Sequence, residues 1–237
     1  MNLNGTISSD NLLGGSGNNI LEGSLGDDLI NGGSGNNILK GGSGNDTVLG
    51  GNHDDIIEGS VGNDTVLGGN HDDILEGGSG DDLINGGNHD DILEGGSGDD
   101  LINGGNHDDI LKGGSGDDLI NGGSHDDILE GGSGDDYLNG DIGQDSLTGG
   151  NGADSFVFDS LDSLDIIVDF DSDQGDKIVF DTVATGIEQI TDITVLIGTS
   201  YDDMHEMRRV TSLYFEGERI IDFDDLVSLQ VEDFEFI

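Results

Sequence analysis

From Gly5 to Val157 the sequence divides into seventeen nonapeptides without an insertion or deletion. A typical unit is Gly77-Gly78-Ser79-Gly80-Asp81-Asp82-Leu83-Ile84-Asn85. Position eight is apolar in all seventeen, from Leu12 through Ile84 to Phe156. A short period held this strictly marks a stacked repeat architecture, because each unit can bury its apolar side only against its neighbours. Glycines at positions one, two and four permit positive φ in a tight turn and leave carbonyls uncovered. Positions seven to nine then read as a short strand, with position eight inward and its neighbours outward. One strand-turn unit is half a coil, so two consecutive units complete a rung. Successive rungs would stack at about 4.8 Å.

Charge decides what such a stack needs. The chain has 52 acidic and 6 basic residues, a formal net charge of −46. Nucleic acid is excluded as a partner, since phosphate contacts require Lys and Arg, and an anionic membrane surface is disfavoured for the same reason. Two like charges about 5 Å apart repel by roughly 1 kcal/mol even in water, and net stabilities are only about 5–15 kcal/mol. The chain is therefore either disordered or neutralised by cations. With 45 glycines and few aromatics, disorder fits the composition. A disordered linker, however, has no reason to keep position eight apolar seventeen times.

Position six carries the charge that matters. It is Asp10, Asp28, Asp46, Asp55, Asp64, Asp73, Asp82, Asp91, Asp100, Asp109, Asp118, Asp127, Asp136, Asp145 and Asp154, and Asn only at Asn19 and Asn37. A turn rich in carbonyls and carboxylates suits a hard cation with oxygen ligands, and calcium accepts six to eight of these in flexible geometry. Softer metals would want Cys or His there, and the chain has no Cys. Each buried aliphatic contributes about 1.5–3 kcal/mol, whereas each ordered residue costs roughly 1–2 kcal/mol of backbone entropy. One apolar side chain in nine is thus too thin a core to fold alone, and the chain is expected to be unfolded without metal and folded with it.

The unit resembles the repeats-in-toxin (RTX) motif G-G-x-G-x-D-x-U-x, and the resemblance covers about two thirds of the chain. It implies an all-β fold, a right-handed parallel β-roll of RTX nonapeptides closed by a β-rich C-terminal cap, and multiple Ca2+ ions in two columns along the roll edges. It also implies the ligands. One repeat gives the carbonyls of positions two and four and its Asp; the repeat one rung later gives the carbonyls of positions one and three and its own Asp. Gly78, Gly80 and Asp82 would so meet Gly95, Ser97 and Asp100, and on the other edge Gly69, His71 and Asp73 would meet Gly86, Asn88 and Asp91. Carried along the first edge, the turn residues are Gly77, Gly78, Ser79, Gly80, Gly95, Gly96, Ser97, Gly98, Gly113, Gly114, Ser115, Gly116, Gly131 and Ser133. Along the second they are Gly51, His53, Gly68, Gly69, Asn70, His71, Gly86, Gly87, Asn88, His89, Gly104, Gly105, Asn106, His107, Gly122 and Ser124.

Three features depart from a uniform repeat. Asn19 and Asn37 fall on one edge, and because a neutral amide is a weaker calcium ligand, that end is expected to bind late or stay partly empty. Asp10 follows a degenerate turn, Gly5-Thr6-Ile7-Ser8-Ser9, so the first units read as a fraying end. Position four is His53, His71, His89, His107 and His125, one column recurring at every second unit. It reads either as a pH switch or transition-metal ladder, or as a residue that tolerates positive φ while its carbonyl serves calcium. Position seven faces out yet is Ile20, Ile38, Ile56, Ile74, Ile92, Ile110 and Ile128 on one side, opposite Leu29, Thr47, Thr65, Leu83, Leu101, Leu119 and Tyr137. Such stripes read as an interface for self-association or as like-on-like stacking. A flat face could also meet ice or mineral, although only Thr47 and Thr65 resemble an ordered Thr array.

Residues 5–157 are thus read as the roll and 158–237 as a capping segment and secretion region. Ala153-Asp154-Ser155-Phe156-Val157-Phe158, Asp165-Ile166-Ile167-Val168-Asp169-Phe170 and Gly175-Asp176-Lys177-Ile178 resemble the segment that follows RTX repeats. Larger apolar residues there would seal the open coil, and Asp165, Asp169 and Asp171 are candidates for another ion or for a solvated structural role. Ile193–Ile197 reads as a strand, and Ser212–Phe215 and Arg219–Phe223 as a hairpin around Glu216-Gly217-Glu218. The ending Glu232-Asp233-Phe234-Glu235-Phe236-Ile237 resembles an uncleaved type I secretion signal. Met1–Asp10 has neither a basic n-region nor an apolar h-region of an N-terminal signal, and no apolar run approaches a membrane helix.

The leading expectation is a secreted or cell-surface protein that folds on extracellular Ca2+ and has a structural or matrix role. The alternatives are a detached secretion and folding module of a larger enzyme or adhesin, with no room for a catalytic domain before the first units, and an ice- or mineral-binding protein. Metzincin zinc helices, nucleophile elbows and phosphate loops are absent from the sequence, so no enzyme activity is expected.

Overall fold

The computed structural model describes residues 1–159, 164–186, 193–201, 207–215, 218–223 and 229–237, with only the backbone of 193–201, 207–210 and 218. Its architecture is two parallel sheets wound by one chain. Odd- and even-numbered repeats alternate between them, so each strand pairs with the strand one rung away. Leu83, Ile84 and Asn85 lie beside Leu101, Ile102 and Asn103 in one sheet. Ile92 and Leu93 lie beside Ile110 and Leu111 in the other. This register, one strand against the strand two units on, holds throughout the repeats and is the rung the sequence implies.

The strands are longer than the sequence suggests. They run from position seven through position three of the next unit, as in Leu83–Asn88 and Ile92–Ser97, leaving only positions four to six as the turn. Glycine pairs are poor strand formers by propensity, but here they lie inside the ladder. At position one the reason is steric: an added Cβ on Gly95 would lie 2.6 Å from the Gly113 carbonyl oxygen. At positions two and four the reason is conformational, with φ of 118° at Gly78 and 122° at Gly80.

Position eight points inward in every repeat. Leu12 to Phe156 form one continuous apolar column, and at its C-terminal end this column meets Phe158, Phe170, Phe180 and Phe223. Ring centroids there are 6.1 Å apart for Phe156–Phe170, 5.7 Å for Phe158–Phe180 and 5.5 Å for Phe170–Phe223. Bulky rings thus join the column at its C-terminal end, packed together with Ile167, Ile178 and Ile221.

Both sheets continue into this end. Asp165–Ile167 pairs parallel with Ser146–Asn151, and Lys177–Phe180 with Ser155–Phe158. The first sheet then adds Glu218–Phe223, Met207–Phe215 and Ile193–Tyr201, the last two pairings antiparallel. The hairpin read from the sequence is present, although Glu216 and Gly217 lie outside the described residues. The second sheet ends on Phe234–Phe236, parallel to Lys177–Phe180, and the Ile237 carbonyl accepts from the N–H and Oγ1 of Thr182, each at 2.9 Å. Among the described residues no helix is long and apolar enough to cross a membrane.

Candidate metal-binding edges

The turns place the position-six carboxylates in two columns, one along each edge of the roll. One oxygen of each is used by the backbone. Asp82 Oδ1 accepts from the Asp64 N–H at 2.7 Å, and Asp100 Oδ1 from the Asp82 N–H at 2.8 Å. The same bond links Asp73 to Asp91 on the other edge at 2.7 Å. The second oxygen has no such partner. Oδ2 of Asp28, Asp46, Asp55, Asp64, Asp73, Asp82, Asp91, Asp100, Asp109, Asp118, Asp127, Asp136 and Asp154 is buried and accepts no hydrogen bond. These residues are only 1–3% exposed. A buried carboxylate oxygen without a donor is costly, so thirteen in register point to a missing positive group.

What surrounds those oxygens identifies the group. A Cβ placed on Gly77 would lie 2.4 Å from Asp82 Oδ2 and 2.7 Å from the Gly95 carbonyl oxygen. On Gly86 the same construction meets Asp91 Oδ2 at 2.5 Å and the Gly104 carbonyl at 2.8 Å. The carboxylate and the position-one carbonyl one rung on therefore border a common cradle that lacks a side chain. Both are acceptors, and no donor reaches the carboxylate oxygen, so a cation or a proton is what would relieve them here. Among the described residues no three Asp, Glu or His side chains gather in a way that would hold a metal ion by side chains alone. The donor set is instead carboxylate plus carbonyl, all oxygen, as a hard cation with high coordination number requires.

Electrostatics agree. Burial, with neighbouring carboxylates adding to it and the backbone donor opposing it, pushes Asp91 and Asp127 up to about 8. It pushes Asp73, Asp82, Asp109 and Asp118 up to about 7 and Asp46, Asp100, Asp136 and Asp154 up to about 6. Asp55 and Asp64 are raised by the same burial.

Not every residue singled out by sequence sits in this arrangement. Asp10 Oδ2 accepts from Thr6 N–H at 2.6 Å and Thr6 Oγ1 at 2.9 Å, so its own turn satisfies it. Asp169 is likewise taken up, accepting from Gly149 N–H at 2.9 Å and Gly150 N–H at 2.8 Å. Asp165 extends one edge, its Oδ1 accepting from Asp145 N–H at 3.0 Å. Asp176 extends the other: Oδ1 accepts from Asp154 N–H at 3.1 Å and Oδ2 from Asp171 N–H at 2.8 Å. Asp176 was not among the sequence candidates. Its signal is Asp176-Lys177-Ile178, the D-x-U core of the repeat with its glycines gone and a longer step back to Asp154 than the regular rung.

The histidine column stands at the turns of the second edge. His53, His71, His89, His107 and His125 have φ between 74° and 88°, which is the backbone reason for their position. Their rings stack at centroid distances of 4.9–5.1 Å. The position-seven ladder is solvent-facing, with Ile20 to Ile128 37–51% exposed.

The family model for the RTX calcium-binding nonapeptide repeat (4 copies) matches residues 4–39, 31–66, 67–102, 103–138 and 130–160. Among curated proteins, none matches the chain. Repeat, fold and orphaned acceptors thus agree with the family match, and the chain belongs to the RTX calcium-binding nonapeptide repeat family, its repeats wound into a parallel β-roll.

Proposed function

We propose that this chain is a secreted calcium-binding β-roll that folds on meeting extracellular Ca2+ and acts as a structural, matrix or surface element rather than as an enzyme. The observation that carries the reading is the row of buried Asp Oδ2 atoms with no hydrogen-bond donor on both edges. Calcium ions would lie in two columns. Each would be held by position-six carboxylates of successive rungs, such as Asp82 and Asp100, and by turn carbonyls such as those of Gly78, Gly80, Gly95 and Ser97. The ion supplies positive charge and six to eight oxygen bonds, which removes both the unsatisfied acceptors and the repulsion between rungs.

Low cytosolic calcium would leave the chain unfolded and exportable, and the acidic-apolar C-terminal ending fits a type I route. Calcium titration by isothermal calorimetry with parallel far-ultraviolet circular dichroism tests the reading. The expected result is uptake of many ions together with a gain of β signal. A full β signal in excess chelator would overturn it. The solvent-facing Ile20 to Ile128 ladder supports self-association as a second property, which sedimentation of the calcium-loaded chain measures directly.

A further inference from the structure

The two repeats that lack Asp show what fills the cradle in its place. Asn19 Nδ2 donates to the Gly17 carbonyl at 2.6 Å and the Gly32 carbonyl at 3.1 Å. It also reaches Asn37 Oδ1 at 2.9 Å. Asn37 repeats this, with Nδ2 to the Gly35 carbonyl at 2.6 Å and to Asp55 Oδ1 at 2.9 Å. The orientation of the Asn37 amide is set by the ladder, since its Oδ1 accepts the Asn19 N–H at 3.0 Å, and that of Asn19 by the N-terminal ammonium of Met1, which donates to its Oδ1 at 3.2 Å; both leave Nδ2 facing the turn. A Cβ on Gly14 would meet Asn19 Nδ2 at 2.7 Å and the Gly32 carbonyl at 2.4 Å. That is the geometry of Gly77 with Asp82 Oδ2 and Gly95, but with a donor in place of an acceptor.

We infer that the side-chain amides of Asn19 and Asn37 stand in for calcium at the start of the histidine-bearing edge, forming two rungs that hydrogen-bond shut without metal. The inference rests on the calcium reading of the other rungs and departs from the expectation of weak or late binding. These positions are not poor sites for the ion; their cradle is already filled by N–H groups, which repel it. Asn19 and Asn37 are only 2% and 1% exposed, so their amides are themselves shielded from water. The two edges consequently take unequal numbers of ions, and the N-terminal end of one edge needs none.

The test compares the full-length chain with the N19D/N37D variant by calcium calorimetry, alongside the converse variant Asp91→Asn. N19D/N37D is expected to take up about two more ions per chain, and Asp91→Asn at least one fewer while still folding at saturating calcium. In the calcium-loaded protein, the side-chain amide protons of Asn19 and Asn37 should exchange slowly in nuclear magnetic resonance spectra. An unchanged ion count in N19D/N37D together with rapid exchange of those protons would overturn the inference. Failure of the calcium reading itself registers differently, as no calcium uptake by the unmodified chain. Should N19D/N37D fail to fold, the Asp91→Asn count and the exchange rates decide the matter.

Discussion

Replacing Gly77 by Ala tests where the cation sits with a single methyl group. Gly77 is not among the positive-φ residues of the roll, so an Ala there carries no left-handed backbone strain. Its Cβ would instead fall 2.4 Å from Asp82 Oδ2 and 2.7 Å from the Gly95 carbonyl. Neither neighbour yields easily. Asp82 Oδ1 is anchored by the Asp64 N–H at 2.7 Å, and Gly95 lies within the strand Ile92–Ser97. The methyl therefore occupies the cradle itself. At free calcium 100-fold above the site's dissociation constant, loss of one ion removes about 2.7 kcal/mol. Overpacking adds roughly 1–3 kcal/mol, so the expected destabilisation is about 4–6 kcal/mol. Gly17→Ala is the matched control: φ is 84° and nothing lies within 4 Å, which leaves backbone strain of about 1–2 kcal/mol and no lost ion. Calorimetric ion counts and guanidinium denaturation at fixed calcium measure both quantities. A Gly77→Ala protein that binds as many ions as the unmodified chain, at an unchanged denaturation midpoint, would refute the cradle as the cation's place.

Core deletion should separate packing from metal: Ile84→Ala empties a fully buried site and is expected to cost about 2–5 kcal/mol with the ion count unchanged, read in the same two assays. Magnesium is expected not to replace calcium in folding the chain, because it demands six close octahedral ligands and keeps its waters; circular dichroism at matched concentrations of the two ions decides this. Without metal, protons should do part of the cation's work. Asp91 and Asp127 are pushed from 3.8 up to about 8 by burial, so the folded state binds protons more tightly than the unfolded one. Their contribution is then fully present below the ordinary carboxylate value and is lost progressively as pH rises from about 4 through about 8. Acidifying the chelated chain from about pH 8 to about pH 4 should increase β signal, and a flat response would count against the buried carboxylates. The half-exposed Lys40–Glu58 pair, 2.6 Å apart, should matter little, with Lys40→Met changing stability by less than about 1 kcal/mol.

Much of this molecule is written in single nonapeptides. The inward column from Leu12 to Phe156, the turns at Gly78 and Gly80 and the burial of Asp82 beside exposed Asp81 all follow from local chemistry repeated in one register.

Whatever depends on the neighbouring rung was not legible in this way. The glycine pairs prefer turns by local propensity, yet the ladder with the next rung draws them into strands. Asp169 reads by type as an ion ligand or a structural residue, and only the fold brings the Gly149 and Gly150 N–H groups to it. Asp176 reads as part of a cap motif, and only the stacking shows it continuing the ladder from Asp154. Asn19 and Asn37 read as weak ligands until the carbonyls of Gly17, Gly32 and Gly35 are seen converging on their nitrogens. The sequence by itself determined the repeat, its inward face and its acidic turns, since those are properties of one unit. The tertiary structure decided which acceptors face one another across rungs, because a hydrogen bond or a cation site is defined by the partner, and here the partner is a full coil away.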